Sequence, residues 1–102
     1  MSDTAEKTDI ELLDEIKNGN EKSTDELINK YRSSVEAIAM KYINSPLEKD
    51  DLVQEGMIGL LAAIKSYNSN KGAKFLPYAC RWIDNSIHTA RRKLSRLKDY
   101  TQ

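Results

Sequence analysis

The chain has 102 residues, 39% of them hydrophobic and 31% charged, which describes one domain whose small size leaves most side chains near solvent. No apolar run is long enough to span a bilayer and the polar N-terminus has no signal-peptide core, so a cytoplasmic protein is expected. One cysteine (Cys80) and one histidine (His88) exclude a disulfide framework and a multi-cysteine metal site. The formal net charge is zero, yet the charges are segregated. Residues 1–70 hold 8 Lys/Arg against 14 Asp/Glu, whereas residues 71–102 hold 8 against 2. A net of +6 in that last third points to a polyanion partner for it.

Residues 1–7 read as a loose polar tail, followed by a single domain over 8–102. Thr8 and Glu11 form a capping box that starts a short helix, with Ile10, Leu13 and Ile16 as its apolar stripe and Asn18-Gly19-Asn20 as its stop. A second helix, capped by Asn20 or Ser23, carries apolar residues at steps of three and four from Leu27 to Ile43. Ser45 as cap, Pro46 at the first helical position and Glu48 three residues on predict a third helix. Leu52, Val53, Met57, Ile58, Leu60, Leu61 and Ile64 are its apolar residues, and it ends before Gly72, which can take the positive φ of a turn. The last helix is expected to begin near Pro77. One face of it holds Phe75, Ala79, Trp82, Ile83, Ser86, Ile87, Ala90, Leu94 and Leu97. No segment alternates with period two, so the fold is expected to be all-α, a compact bundle of about four helices.

The residues of catalysis are missing. There is no nucleophile beside a base, no carboxylate pair in an apolar setting, no metal-ligand spacing and no glycine-rich phosphate loop, so no enzyme, cofactor or metal is expected. Two surfaces remain. On the last helix Arg81, Asn85, His88, Arg92 and Arg96 form a polar stripe opposite much of the apolar one, combining phosphate-seeking cations with heads that can bond a base edge. The spacing alone favours a solvated helix residue for His88, and Arg91-Arg92-Lys93 equally suits a helix C-terminal half. Tyr67, Phe75, Tyr78 and Trp82 cluster with Lys71 and Lys74, as in proteins that hold unstacked bases. Helical spacing nevertheless favours the core for these rings, Phe75 foremost and Tyr78 least. On the third helix Gly56 and Gly59 each cost about 1 kcal/mol relative to Ala, which fits either close packing within the domain or a docking surface beside the acidic start at Asp51, Gln54 and Glu55.

The stretch DDLVQEGMIGLLAAIKSYNSNKGAKFLPYACRWIDNSI, residues 50–87, resembles conserved region 2 of bacterial RNA polymerase sigma factors of the sigma-70 family. YRSSVEAIAMKYI from Tyr31 is similar to the helix that precedes it there, so the likeness covers roughly residues 20–98, nearer in flavour to alternative, sporulation-type sigma factors. The resemblance implies two tasks in transcription initiation. Asp51, Leu52, Val53, Gln54 and Glu55, with Met57 and Leu61, match the helix that docks on core RNA polymerase at the clamp coiled coil of the beta-prime subunit. Residues 71–92 match the part that recognises and melts the minus-ten promoter element. Tyr78 falls where the family stacks an aromatic on a flipped base of the single-stranded non-template strand. Asn85 and His88 fall where the upstream base pair is read, and Lys71 and Lys74 match cations near the strand. The resemblance thereby puts Tyr67, Lys71, Lys74, Tyr78, Arg81, Trp82, Asn85, His88 and Arg92 at the DNA, with an anti-sigma factor as a further possible partner.

Departures from the family pattern bear on the strength of melting. Arg81 stands where a first wedge tryptophan is common, leaving Trp82 alone, and Leu76-Pro77 replaces a small hydroxyl pair. Ala73 stands in place of an aromatic, and Asp84 and Thr89 in place of frequent basic residues. Weaker melting and a non-consensus promoter are expected. No segment after Leu97 forms the helix-turn-helix of longer sigma factors, and the abrupt end is that expected of a fragment. Two rivals stay open: a regulator that docks on the polymerase without productive promoter binding, and a polymerase-independent binder of duplex DNA.

Overall fold

The computed structural model describes residues 8–44, 47–68 and 71–101, with side chains as far as Leu94. Within that span the chain is four helices and no strand: α1 (Asp9–Lys17), α2 (Glu21–Met40), α3 (Lys49–Ser66) and α4 (Phe75–Thr101). The all-α bundle read from the sequence is therefore the fold.

The capping box forms as expected. The Glu11 N–H donates to Thr8 Oγ1 at 3.2 Å and the Thr8 N–H to Glu11 Oε1 at 2.9 Å, satisfying two donors that a helix start leaves orphaned. The chain leaves α1 through Asn18 and through Gly19 at φ +92°. The apolar stripe is not the expected one. Leu12 and Leu13 are buried with Ile16 packed beside them, while Ile10 lies at the edge of that face, 43% exposed. Polar side chains fasten α1 to α2: Asp9 accepts from Lys30 at 2.7 Å and from the Tyr31 hydroxyl, and buried Ser23 donates to Glu15. Burial first, then the Asp9 carboxylate, push the Tyr31 phenol far above its ordinary pKa, so it stays a donor. Asn20 is the cap of α2, accepting from Lys22 N–H at 3.0 Å, which frees Ser23 for this tertiary role.

Leu27, Tyr31, Val35 and Ala39 recur every four residues on α2 and all are buried. The helix stops at Met40, earlier than its apolar pattern, because residues 41–43 turn to tighter i→i−3 bonds of 3.0–3.3 Å. Tyr42 and Ile43 thus sit in a turn, Ile43 44% exposed. Ser45 and Pro46 lie outside the described residues. The third helix begins only at Lys49, which makes Glu48 its N-cap rather than its third residue, with Asp50 and Asp51 favouring the positive end of the helix dipole.

α3 and α4 form the tightest seam. A Cβ built on Gly59 would stand 2.6 Å from the Trp82 carbonyl oxygen and 2.9 Å from Ile83 Cα, both backbone of α4. One on Gly56 would meet Val35 Cγ1 at 2.7 Å and Ile87 Cδ1 at 3.2 Å. Both glycines face inward, so they serve packing within the domain and not a docking surface of their own. The loop between the helices turns at Gly72, φ +83°. α4 starts at Phe75, ahead of Pro77; a proline in a first turn breaks nothing, because its missing N–H has no helical partner there. Phe75, Ala79, Ile83 and Ile87 fill the core, each such buried aliphatic or aromatic side chain contributing about 1.5–3 kcal/mol. Trp82, expected on this face, is 39% exposed. The side chains of Arg96 and Leu97 lie outside the described residues.

Candidate nucleic-acid interface

The aromatic residues form a chain of contacts that runs from core to surface. Tyr31 meets Phe75 with ring centroids 5.8 Å apart, Phe75 meets Tyr67 edge-on at 5.2 Å, Tyr67 meets Tyr78 at 5.4 Å, and Tyr78 meets Trp82 at 6.3 Å. Its inner members are core residues. Phe75 is 3% and Tyr67 7% exposed, and the Tyr67 hydroxyl donates to the Ala73 carbonyl, tying down the α3–α4 loop. Tyr67 therefore has no free face for a ligand and acts as the backing on which Tyr78 rests, a correction to its expected place at the surface. The outer members differ. Tyr78 is half-buried and Trp82 is the more exposed, reversing the expectation that Tyr78 would be the least buried ring. The Tyr78 hydroxyl pairs with Ser66 Oγ at 2.7 Å, and Ser66 also donates to the Ala62 carbonyl at 2.8 Å.

Around these two rings lie exposed cations and an amide. Lys71, Lys74, Arg81, Asn85 and Arg92 are all exposed. An open groove of about 970 Å³ runs between α3 and α4, and Tyr78, Arg81, Trp82, Asn85 and Lys93 form its α4 wall. The polar stripe of α4 is thus divided. Arg81 and Asn85 look onto the groove, whereas His88 sits on the opposite flank against the turn after α2, where its ring lies 6.4 Å from that of Tyr42. Arg91 covers the Tyr42 ring at 5.2 Å and donates to His88, so neither residue is the solvated bystander that spacing favoured. Asp84 closes this cluster, accepting from the Tyr42 hydroxyl at 2.7 Å and pairing with Lys41 at 3.3 Å. The Tyr42 hydrogen bond, then Lys41, hold the Asp84 carboxyl below the usual carboxylate range. Burial, then Asp84, raise the Tyr42 phenol.

The α3 residues expected to meet a protein partner also divide. Asp51 and Gln54 are exposed, and Glu55 and Leu61 half-buried; Val53 and Met57 are half-buried and pack against the core. Leu52 is fully buried and cannot touch a partner directly; it anchors the helix from within. The residue that sequence reading missed is Ile58. Counted among the apolar core positions, it is 56% exposed, the most exposed large hydrophobic residue described, and it lines the α3 wall of the groove with Glu55 and Ala62. The signal was available: Ile58 stands four residues after Gln54 and seven after Asp51, hence on their polar face. Among the described residues no group of three or more His, Cys, Asp or Glu is placed to hold a metal, and no helix is long and apolar enough to cross a membrane.

Comparison with known proteins meets this geometry from another direction. The family described as Sigma-70 region 2 matches residues 27–97. The chain is 37% identical over 82 residues to the RNA polymerase sigma factor SigA of a Bacillus species, covering 80% of this chain and 22% of that protein. It is 34% identical over 90 residues to the RNA polymerase sigma-H factor of Bacillus subtilis strain 168, covering 88% and 41% respectively. The SigA of a Nostoc species is 38% identical over 69 residues, 68% of this chain and 18% of the relative. The chain thus spans between about a fifth and two fifths of the length of these relatives.

Proposed function

Since the chain belongs to the sigma-70 region 2 family, we propose that it acts in the cytoplasm as a sigma factor domain which docks on core RNA polymerase and captures the minus-ten promoter element as it opens. The observation that carries the DNA half is the aromatic chain that begins in the core at Tyr31 and Phe75 and ends at Tyr78 and Trp82 among exposed lysines and arginines. A ring backed by rigid neighbours loses little freedom when a base stacks on it, and each stacked base contributes about 1–3 kcal/mol. Stacking and phosphate contacts offset the cost of unpairing, so the energy of opening comes from binding rather than from nucleotide hydrolysis. Asn85 and His88 read the upstream base pair, and Lys71, Lys74, Arg81 and Arg92 hold the strand backbone. The docking half rests on the exposed acid-and-amide face of α3 with Ile58 at its centre, suited to a basic coiled coil with an apolar stripe, the beta-prime clamp.

Fluorescence anisotropy tests this reading on two labelled DNAs of one minus-ten sequence, the single non-template strand and its closed duplex, with and without core polymerase. Tight single-strand binding that requires core is the expected result. Core binding with no DNA response would mark a docking regulator, the outcome that Arg81 and Leu76-Pro77 favour, and duplex binding without core would overturn the proposal.

A further inference from the structure

The cluster on the far flank of α4 does more than join two helices. A guanidinium has donors only, so in the 3.2 Å contact between Arg91 Nη2 and His88 Nδ1 the ring nitrogen must accept. A histidine whose Nδ1 accepts is neutral and carries its proton on Nε2. Arg91 is itself held, its guanidinium over the Tyr42 ring at 5.2 Å, and that ring is fixed by its hydroxyl on Asp84 at 2.7 Å, with Lys41 on the same carboxylate oxygen. Among the described residues no hydrogen bond engages Nε2.

We infer that Asp84, Tyr42 and Arg91 form a positioning relay that locks His88 into one neutral tautomer, turned so that it offers a base edge a hydrogen-bond donor and nothing else. The inference rests on the proposed placement of His88 at the upstream base pair and gives that placement a chemical selectivity. A lone donor in the major groove suits purine N7, guanine O6 or thymine O4, and it is refused by cytosine, which presents only its N4 amino donor there. A free imidazole exchanges between tautomers and would accept from cytosine part of the time. The relay removes that option. It also assigns Asp84, otherwise an acidic residue on a DNA-facing helix, a definite task, since its charge is spent on Tyr42 and Lys41.

Two measurements test the relay. His88 is the only histidine, so the protein labelled with 15N-histidine gives a single pair of ring nitrogen signals. At a pH where the ring is neutral, Nδ1 should resonate as an unprotonated acceptor and Nε2 as a protonated donor, and Arg91→Met or Tyr42→Phe should draw the two toward exchange-averaged values. Wild-type signals identical to those of Arg91→Met would overturn the lock. The second measurement uses core polymerase and fork DNAs that differ only in the base pair just upstream of the single strand. The wild type should bind the fork with cytosine facing His88 roughly three- to tenfold more weakly than the others, the worth of one hydrogen bond. Arg91→Met should flatten that difference while the affinity for the downstream strand persists. If His88→Ala flattens it and Arg91→Met does not, the relay fails and the placement of His88 stands. If His88→Ala leaves the preference intact, the placement itself fails.

Discussion

The two walls of the groove between α3 and α4 differ in almost every property except their backbone contact. The α3 wall offers Glu55, Ile58 and Ala62, acidic and apolar, with Asp51 and Gln54 on the neighbouring exposed face. The α4 wall offers Tyr78, Arg81, Trp82, Asn85 and Lys93, aromatic and cationic. Between them the helices touch so closely at Gly59 that no side chain fits. The contrast teaches that a domain of this size can address two partners of opposite charge by giving each its own helix, provided the helices are held in fixed relation. The zero net charge of the whole chain conceals this division, and the seam makes it usable.

The sharpest way to break the comparison is at the seam. Gly59→Ala places a methyl against the α4 backbone, which cannot step aside as a side chain can, and should cost about 2 kcal/mol or more despite the gain in helix propensity. Thermal unfolding should show a fall of several degrees. Gly56→Ala, which meets chiefly the Val35 methyl, should cost less. Next in size is the α4 wall. Tyr78→Ala should weaken binding of the single-stranded minus-ten element roughly five- to hundredfold, the loss of about 1–3 kcal/mol of stacking, with circular dichroism unchanged. On the α3 wall Ile58→Glu should reduce core docking by at least about 1 kcal/mol, measured by titration calorimetry, and Glu55→Lys should act in the same direction. Smallest is the acid dependence of Asp84. Its folded-state pKa is depressed, so its stabilising contribution is present above the ordinary carboxylate pKa and is lost as pH falls through the folded value. Asp84→Asn should therefore be slightly less stable at neutral pH and flatter in its acid unfolding curve, a modest effect because the side chain is 39% exposed.

Much of the fold was legible because local signals and long-range packing agree. The Thr8 capping box, the i, i+4 run of α2 and the turn at Gly72 each follow from side-chain chemistry within a few residues, and each stands where it was read. The misreadings share a cause: periodicity tells which residues are apolar and not which neighbour covers them. Ile10 and Ile58 lie on the right helices with nothing packed over them, and Trp82 continues the apolar face of α4 beyond the reach of α3. Tyr67 failed in the opposite way, an apparent surface ring buried by Phe75 and the loop that its hydroxyl fastens. Gly56 and Gly59 were recognised as sites of close approach, but only the positions of Val35 and of the α4 backbone identify what approaches. The Tyr42–Asp84–His88–Arg91 cluster was out of reach altogether, because it joins residues more than forty positions apart across two elements.

The measurement that bears most directly on the division between the walls compares Ile58→Glu and Tyr78→Ala in one assay. Affinity for core polymerase is determined first, and affinity for the labelled single strand is then read at a core concentration that saturates each variant. The division predicts that Ile58→Glu needs more core yet binds the strand normally once docked, while Tyr78→Ala docks normally and stays weak on the strand. Loss of strand binding by both variants at saturation, or normal strand binding by Tyr78→Ala, would contradict it.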